Sequence, residues 1–80
     1  MARFTLIFEI HGKLSICQEK AASPQAALRK MERRTGVKSK LLRALADKKV
    51  APVGGLTSCW YSSALDRKTF ALIIVVRTDE

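Results

Sequence analysis

The ten residues TFALIIVVRT, at positions 69–78, carry apolar side chains on both faces of an extended chain: Phe70, Leu72, Ile74 and Val76 on one, Ala71, Ile73 and Val75 on the other. A strand of that kind belongs in the middle of a sheet, with cover on both sides or nearly so. The rest of the chain therefore has to supply both flanking strands and a second layer.

Residues 3–10 meet the first requirement. Phe4, Leu6, Phe8 and Ile10 alternate with Arg3, Thr5, Ile7 and Glu9, the period of a half-buried strand. After Gly12, Leu14 and Ile16 alternate with Lys13, Ser15 and Cys17. For two antiparallel strands to share one apolar face, Phe8 has to pair with Leu14 and Leu6 with Ile16, which calls for a three-residue loop of Ile10, His11 and Gly12 with the glycine at positive φ. That register puts His11 at the loop tip and Cys17 about 16 Å down the second strand, on the more polar face. A cysteine nucleophile needs its base within about 3 Å, so the His11–Cys17 spacing reads as a feature of the hairpin and not as a dyad. Cys17 and Cys59 lack the paired spacing of a zinc site and are too few for a disulfide scaffold; reduced, non-catalytic thiols are expected.

The second layer comes from the middle of the chain. In AASPQAALRKMERRTG, Ser23 is placed as an N-cap, Pro24 at the first helical position and Gly36 just past the end, which predicts a helix over 24–35 with Ala27, Leu28 and Met31 as its apolar stripe. Val37, Leu41, Leu42 and Leu45 then recur at helical spacing, predicting a second helix that ends near Lys49, before Pro52. The stretch VAPVGG at 50–55 reads as a connector, LTSCWYSSAL at 56–65 as a third strand, DRK at 66–68 as a turn and 69–78 as the fourth strand.

The expected fold is α+β: one small domain over residues 1–80, a two-layer sandwich in which two helices cover one face of a four-stranded, mainly antiparallel sheet, in the order β-β-α-α-β-β. Strand order 2-1-4-3 places the two most apolar strands at the centre. A chain of 80 residues buries a small core, and the uncovered sheet face still carries Ile7, Tyr61 or Trp60, Ile73 and Val75. A homodimer through that face is expected on this ground.

Charge is the most informative feature for function. Between Arg29 and Lys49 nine cations stand against Glu32 and Asp47, a balance of +7, whereas the remaining six cations and five acids leave only +1. Part of this is an ordinary solvated helix face, with Arg33, Arg34, Lys48 and Lys49 placed in last turns where the helix dipole favours cations. Lys38 and Lys40, at the start of the second helix, are disfavoured there and suit an anion. Nucleic-acid contact is therefore expected from Arg29, Lys30, Arg33, Arg34, Lys38, Lys40 and Arg43, to RNA or DNA backbone and with little sequence preference. The alternative is a protein-interaction or self-assembly module that works through the apolar sheet face.

Other classes find little support. No second histidine, paired carboxylates on one element or metal-ligand cluster points to an enzyme, a cofactor or a metal. The glycine pair at 54–55 has no phosphate-loop surroundings. The longest apolar run, FALIIVV, is seven residues, and MARFTLIFEI has no leader pattern, so a cytoplasmic protein without a membrane span is expected.

Overall fold

The computed structural model describes residues 2–10, 12–35, 40–66 and 69–78. These form β1 (Ala2–Ile10), β2 (Lys13–Ala21), α1 (Pro24–Thr35), α2 (Lys40–Asp47), β3 (Ala51–Pro52), β4 (Cys59–Asp66) and β5 (Thr69–Arg77). The α+β class is as expected, but the antiparallel sheet has five strands in the order β2-β1-β5-β4-β3, not four. The added strand is the two-residue β3 within the expected connector, where Pro52 pairs with Trp60. Proline is tolerated there because β3 is an edge strand with no further neighbour to bond. The four long strands keep the expected order, with β1 and β5 side by side at the centre.

Both helices pack on one face of the sheet. Ser23 caps α1, its Oγ accepting from Ala26 N–H at 3.1 Å and its carbonyl from Ala27 N–H at 3.0 Å. The predicted stripe of Ala27, Leu28 and Met31 is fully buried. α2 contributes Leu42, Leu45 and Ala46 to the same core; its end at Asp47 leaves Lys48 and Lys49 beyond the last turn, so the dipole argument for those two lysines does not apply. Gly36, Val37 and the side chain of Leu41 lie outside the described residues. From the sheet come Phe4, Leu6, Ala64, Ala71, Ile73 and Val75, with the Trp60 ring set edge-on to Phe4 at 6.1 Å.

Two expectations are corrected by register. β1 and β2 pair as Ile10↔Lys13, Ile7↔Ile16 and Leu6↔Cys17, one residue away from the pairing of Leu6 with Ile16. The strands are joined through positions 11 and 12 alone, with Gly12 at φ +75°. The reason lies at the far end of β2, where α1 packs: Ala21 and Glu19 are buried there, and Cys17 is half-buried on the same side. Near the turn, Lys13 and Ser15 on that side are exposed, so nothing rewards Leu14 and Ile16 for turning toward the helices. A one-residue shift moves every β2 side chain to the other face. Cys17 consequently sits on the covered face, not on the polar one.

The second correction concerns β5. Ala71, Ile73 and Val75 face the helices and are fully buried, whereas Phe70, Leu72, Ile74 and Val76 lie on the open face. Ile73 and Val75 thus leave the list of open-face residues. Of the neighbouring aromatics, Tyr61 is on the open face and Trp60 under the helices.

Candidate nucleic-acid interface

Burying Ala27, Leu28 and Met31 turns the remaining sides of α1 outward, and Arg29, Lys30, Arg33 and Arg34 are all exposed. In α2, burial of Leu42, Leu45 and Ala46 does the same for Arg43. The two helices are held together end to start by Gln25. Its Nε2 donates to the carbonyls of Ala46 at 2.9 Å and Lys48 at 2.8 Å, and its Oε1 accepts from Val50 N–H at 2.8 Å. The first turn of α1 therefore lies beside the last turn of α2, the geometry of an antiparallel helical hairpin.

Between them Arg29, Glu32 and Arg33 of α1 and Arg43, Ala46 and Asp47 of α2 line a shallow groove of about 400 Å³. Three guanidinium groups from two helices converge on it, with both acids of the basic segment beside them. The groove is therefore only mildly positive. Lys30 and Lys48 lie outside it and reach toward β2 and β4, and Lys49 is exposed.

Not every expected cation is equally available. Arg34 Nε donates to Glu19 Oε2 at 2.5 Å, across from α1 to β2, and the Glu19 side chain is only 5% exposed against 55% for Arg34. A buried carboxylate that lost this partner would be left as an uncompensated charge, so Arg34 has a structural task that competes with ligand binding. Lys30 Nζ donates to the Lys20 carbonyl at 3.0 Å and Lys48 Nζ to the Ser63 carbonyl at 2.9 Å; each ammonium has three donors and keeps two for another acceptor. Lys38 lies outside the described residues, as does the side chain of Lys40, whose backbone opens α2.

Three residues with structural roles escaped the sequence reading. Gln25 has no sequence signal of its own, since a polar residue in a first helical turn is ordinary. Glu19 and Cys17 were hidden by the register. Burial, and after it the charge of Glu19, raises the Cys17 thiol pKa above its ordinary value, while the Arg34 guanidinium acts in the opposite sense. The folded state therefore holds this proton more tightly, a contribution to stability that is complete below the unfolded thiol's pKa and lost as pH rises through the folded one. In a Cys59→Ser background, Cys17 is expected to alkylate with iodoacetamide several-fold more slowly at pH 8 than a cysteine in an unfolded peptide. Reaction at the peptide's rate would place the thiol in solvent and contradict the register.

Among the described residues no group of His, Cys, Asp and Glu side chains is arranged to hold a metal ion, and no helix is long and apolar enough to cross a membrane. Comparison of the chain with protein-family models, curated proteins and solved structures returns no match.

Proposed function

We propose that the chain is a small binding domain that holds the phosphate backbone of a nucleic acid on its helix layer, through Arg29, Lys30, Arg33 and Arg43 around the groove between α1 and α2. The observation that carries this reading is segregation: the segment holding both helices has a charge of +7 and the rest of the chain +1, and these four cations are exposed on the side of the domain away from the open sheet face. The helix dipole accounts only for Arg33 and Arg34, in the last turn of α1. Arg29, Lys30 and Arg43 lie inside their helices, away from the last turns that the dipole favours for cations. Lys38 and Lys40 belong to the same basic segment of the sequence.

Recognition is of backbone and not of bases. Stacking on single-stranded bases needs aromatic side chains within the basic surface. Phe4, Phe8 and Trp60 pack against the core beneath the helices, and Tyr61 and Phe70 lie on the opposite side of the sheet. Arginine can still neutralise phosphates there, releasing counterions, which makes affinity depend on salt far more than on sequence.

The test is a fluorescence titration of short labelled single strands and duplexes of RNA and DNA at about 50 mM salt. Dissociation constants of roughly 10⁻⁴ to 10⁻⁶ M, similar across sequences, are expected. Neutralising Arg29, Arg33 and Arg43 together to Gln should lower the slope of log K against log salt by about 2 on single strands or nearly 3 on duplex DNA, with the circular dichroism spectrum unchanged. No association at about 100 μM protein, or an unaltered slope in the triple variant, contradicts the proposal.

A further inference from the structure

Among the described residues, none covers the face of the sheet opposite the helices. In register across it run Ile16 of β2, Ile7 of β1, Ile74 of β5 and Tyr61 of β4, an unbroken apolar row over the four long strands. Leu14 and Leu72 flank it on one side and Val76 on the other, and Phe70 and Leu65 extend the patch at the end of the β4–β5 hairpin. Leu14, Ile16 and Leu65 are 66%, 64% and 70% exposed, unusually high for large apolar side chains on the strands of one sheet face.

We propose that this face is the interface of a homodimer, covered by the same face of a second copy related by a two-fold axis. Three observations select that occupant. The first is area. The chain exposes 5521 Å² of surface, whereas a compact monomer of 8.9 kDa exposes about 4800 Å². The radius of gyration of 11.8 Å is close to the roughly 11.6 Å expected for this length, in a molecule flattened to 38 × 29 × 20 Å. The open sheet face contributes to this excess of about 700 Å² over the whole chain, and ~800 Å² is what each partner contributes to a standard stable interface.

The second is chemistry. The face carries Arg3, Lys20 and Glu9 as its charged residues among those described, and Arg3 and Lys20 are paired neighbours toward one end of the sheet. Among the described residues, Glu9 on β1, between Leu14 and Leu72, brings the one charge next to the apolar row; an apolar row on an apolar row covers the rest, and in an isologous pair each copy supplies that row to the other. The third is electrostatics. Two sheets stacked about 10 Å apart, each backed by helices about 10 Å further out, hold the two basic layers roughly 30 Å from each other. That is several Debye lengths at physiological salt, so charge does not oppose this pairing as it would oppose one through the helices.

Sedimentation velocity of the whole chain from about 1 to 100 μM tests it. A species of twice the chain mass is expected at the upper concentrations. Leu14→Lys with Ile16→Lys, on exposed sites of an edge strand, should weaken the dimer by at least about 100-fold, and Leu65→Glu, a milder change at the end of β4, by at least about tenfold. Arg33→Gln with Arg43→Gln should leave it intact. A wild-type monomer throughout overturns the proposal. So does a dimer that survives both face variants, or one that dissociates with the helix variant, since either would place the interface elsewhere.

Discussion

Truncating Leu28 to Ala is expected to destabilise the domain by about 3 to 5 kcal/mol, enough to leave much of it unfolded at 37 °C. Leu28 is fully buried in α1, in a core shared with Met31, Leu45, Leu6 and Ile73, so its loss removes transfer free energy and leaves a cavity that a close-packed two-layer core closes only in part. Domains of this length have a total stability of about 4 to 12 kcal/mol, against which such a loss is large. Urea unfolding of wild type and variant measures it directly. A change below about 1 kcal/mol with an unchanged denaturant slope would mean that α1 does not pack where the apolar stripe puts it.

Gln25→Ala is expected to cost about 2 to 3 kcal/mol, at a position that no apolar pattern marks. One side chain closes the C-terminal end of α2, where carbonyls have no partner within the helix, and also holds Val50 N–H at the start of the connector to β3. Three hydrogen bonds are lost, each worth about 1 kcal/mol net, and the part-buried carbonyl of Ala46 is left without this donor. Gln25→Glu separates the roles. It keeps an acceptor for Val50 N–H but cannot donate, and it sets a carboxylate against two carbonyl oxygens, so it should be as unstable as the alanine variant in thermal melts. A Glu variant with the wild-type melting temperature would show that donation to α2 contributes nothing.

These two positions mark what was legible in the sequence. Leu28 was, because the 3.6-residue period, the Ser23–Pro24 start and a strand apolar on both faces all point to a helix packed on a central strand. Class, the order of the long strands and the bounds of α1 follow from such agreement between local signals and a global requirement. The β1–β2 register did not, because alternation in β2 favours Leu14 and Ile16, while the deciding groups are Ala21, Glu19 and Cys17 beneath α1, which only tertiary packing identifies. β3 was missed since two residues carry no periodicity and proline argues against a strand anywhere but at an edge. For the basic surface, charge along the chain was readable. Its division was not: Arg34 is engaged by Glu19, and Glu32 and Asp47 fall into the same groove as Arg29, Arg33 and Arg43.

The resulting molecule has two unlike faces, and each proposal occupies one. Pairing through the sheet would leave both helix layers outward, on opposite sides of the pair, and so would not block the proposed cationic surface. Because they use different faces, the two proposals stand or fall separately.

The most direct measurement is therefore one of place. Backbone amide spectra of the ¹⁵N-labelled protein, recorded during titration with a short oligonucleotide at about 50 mM salt, report where the ligand sits. The account predicts shifts concentrated in residues 27–34 and 42–49, with the central strands β1 and β5 little changed. Shifts that centre on Ile7, Ile16, Tyr61 and Ile74, or none at all at saturating ligand, would contradict it.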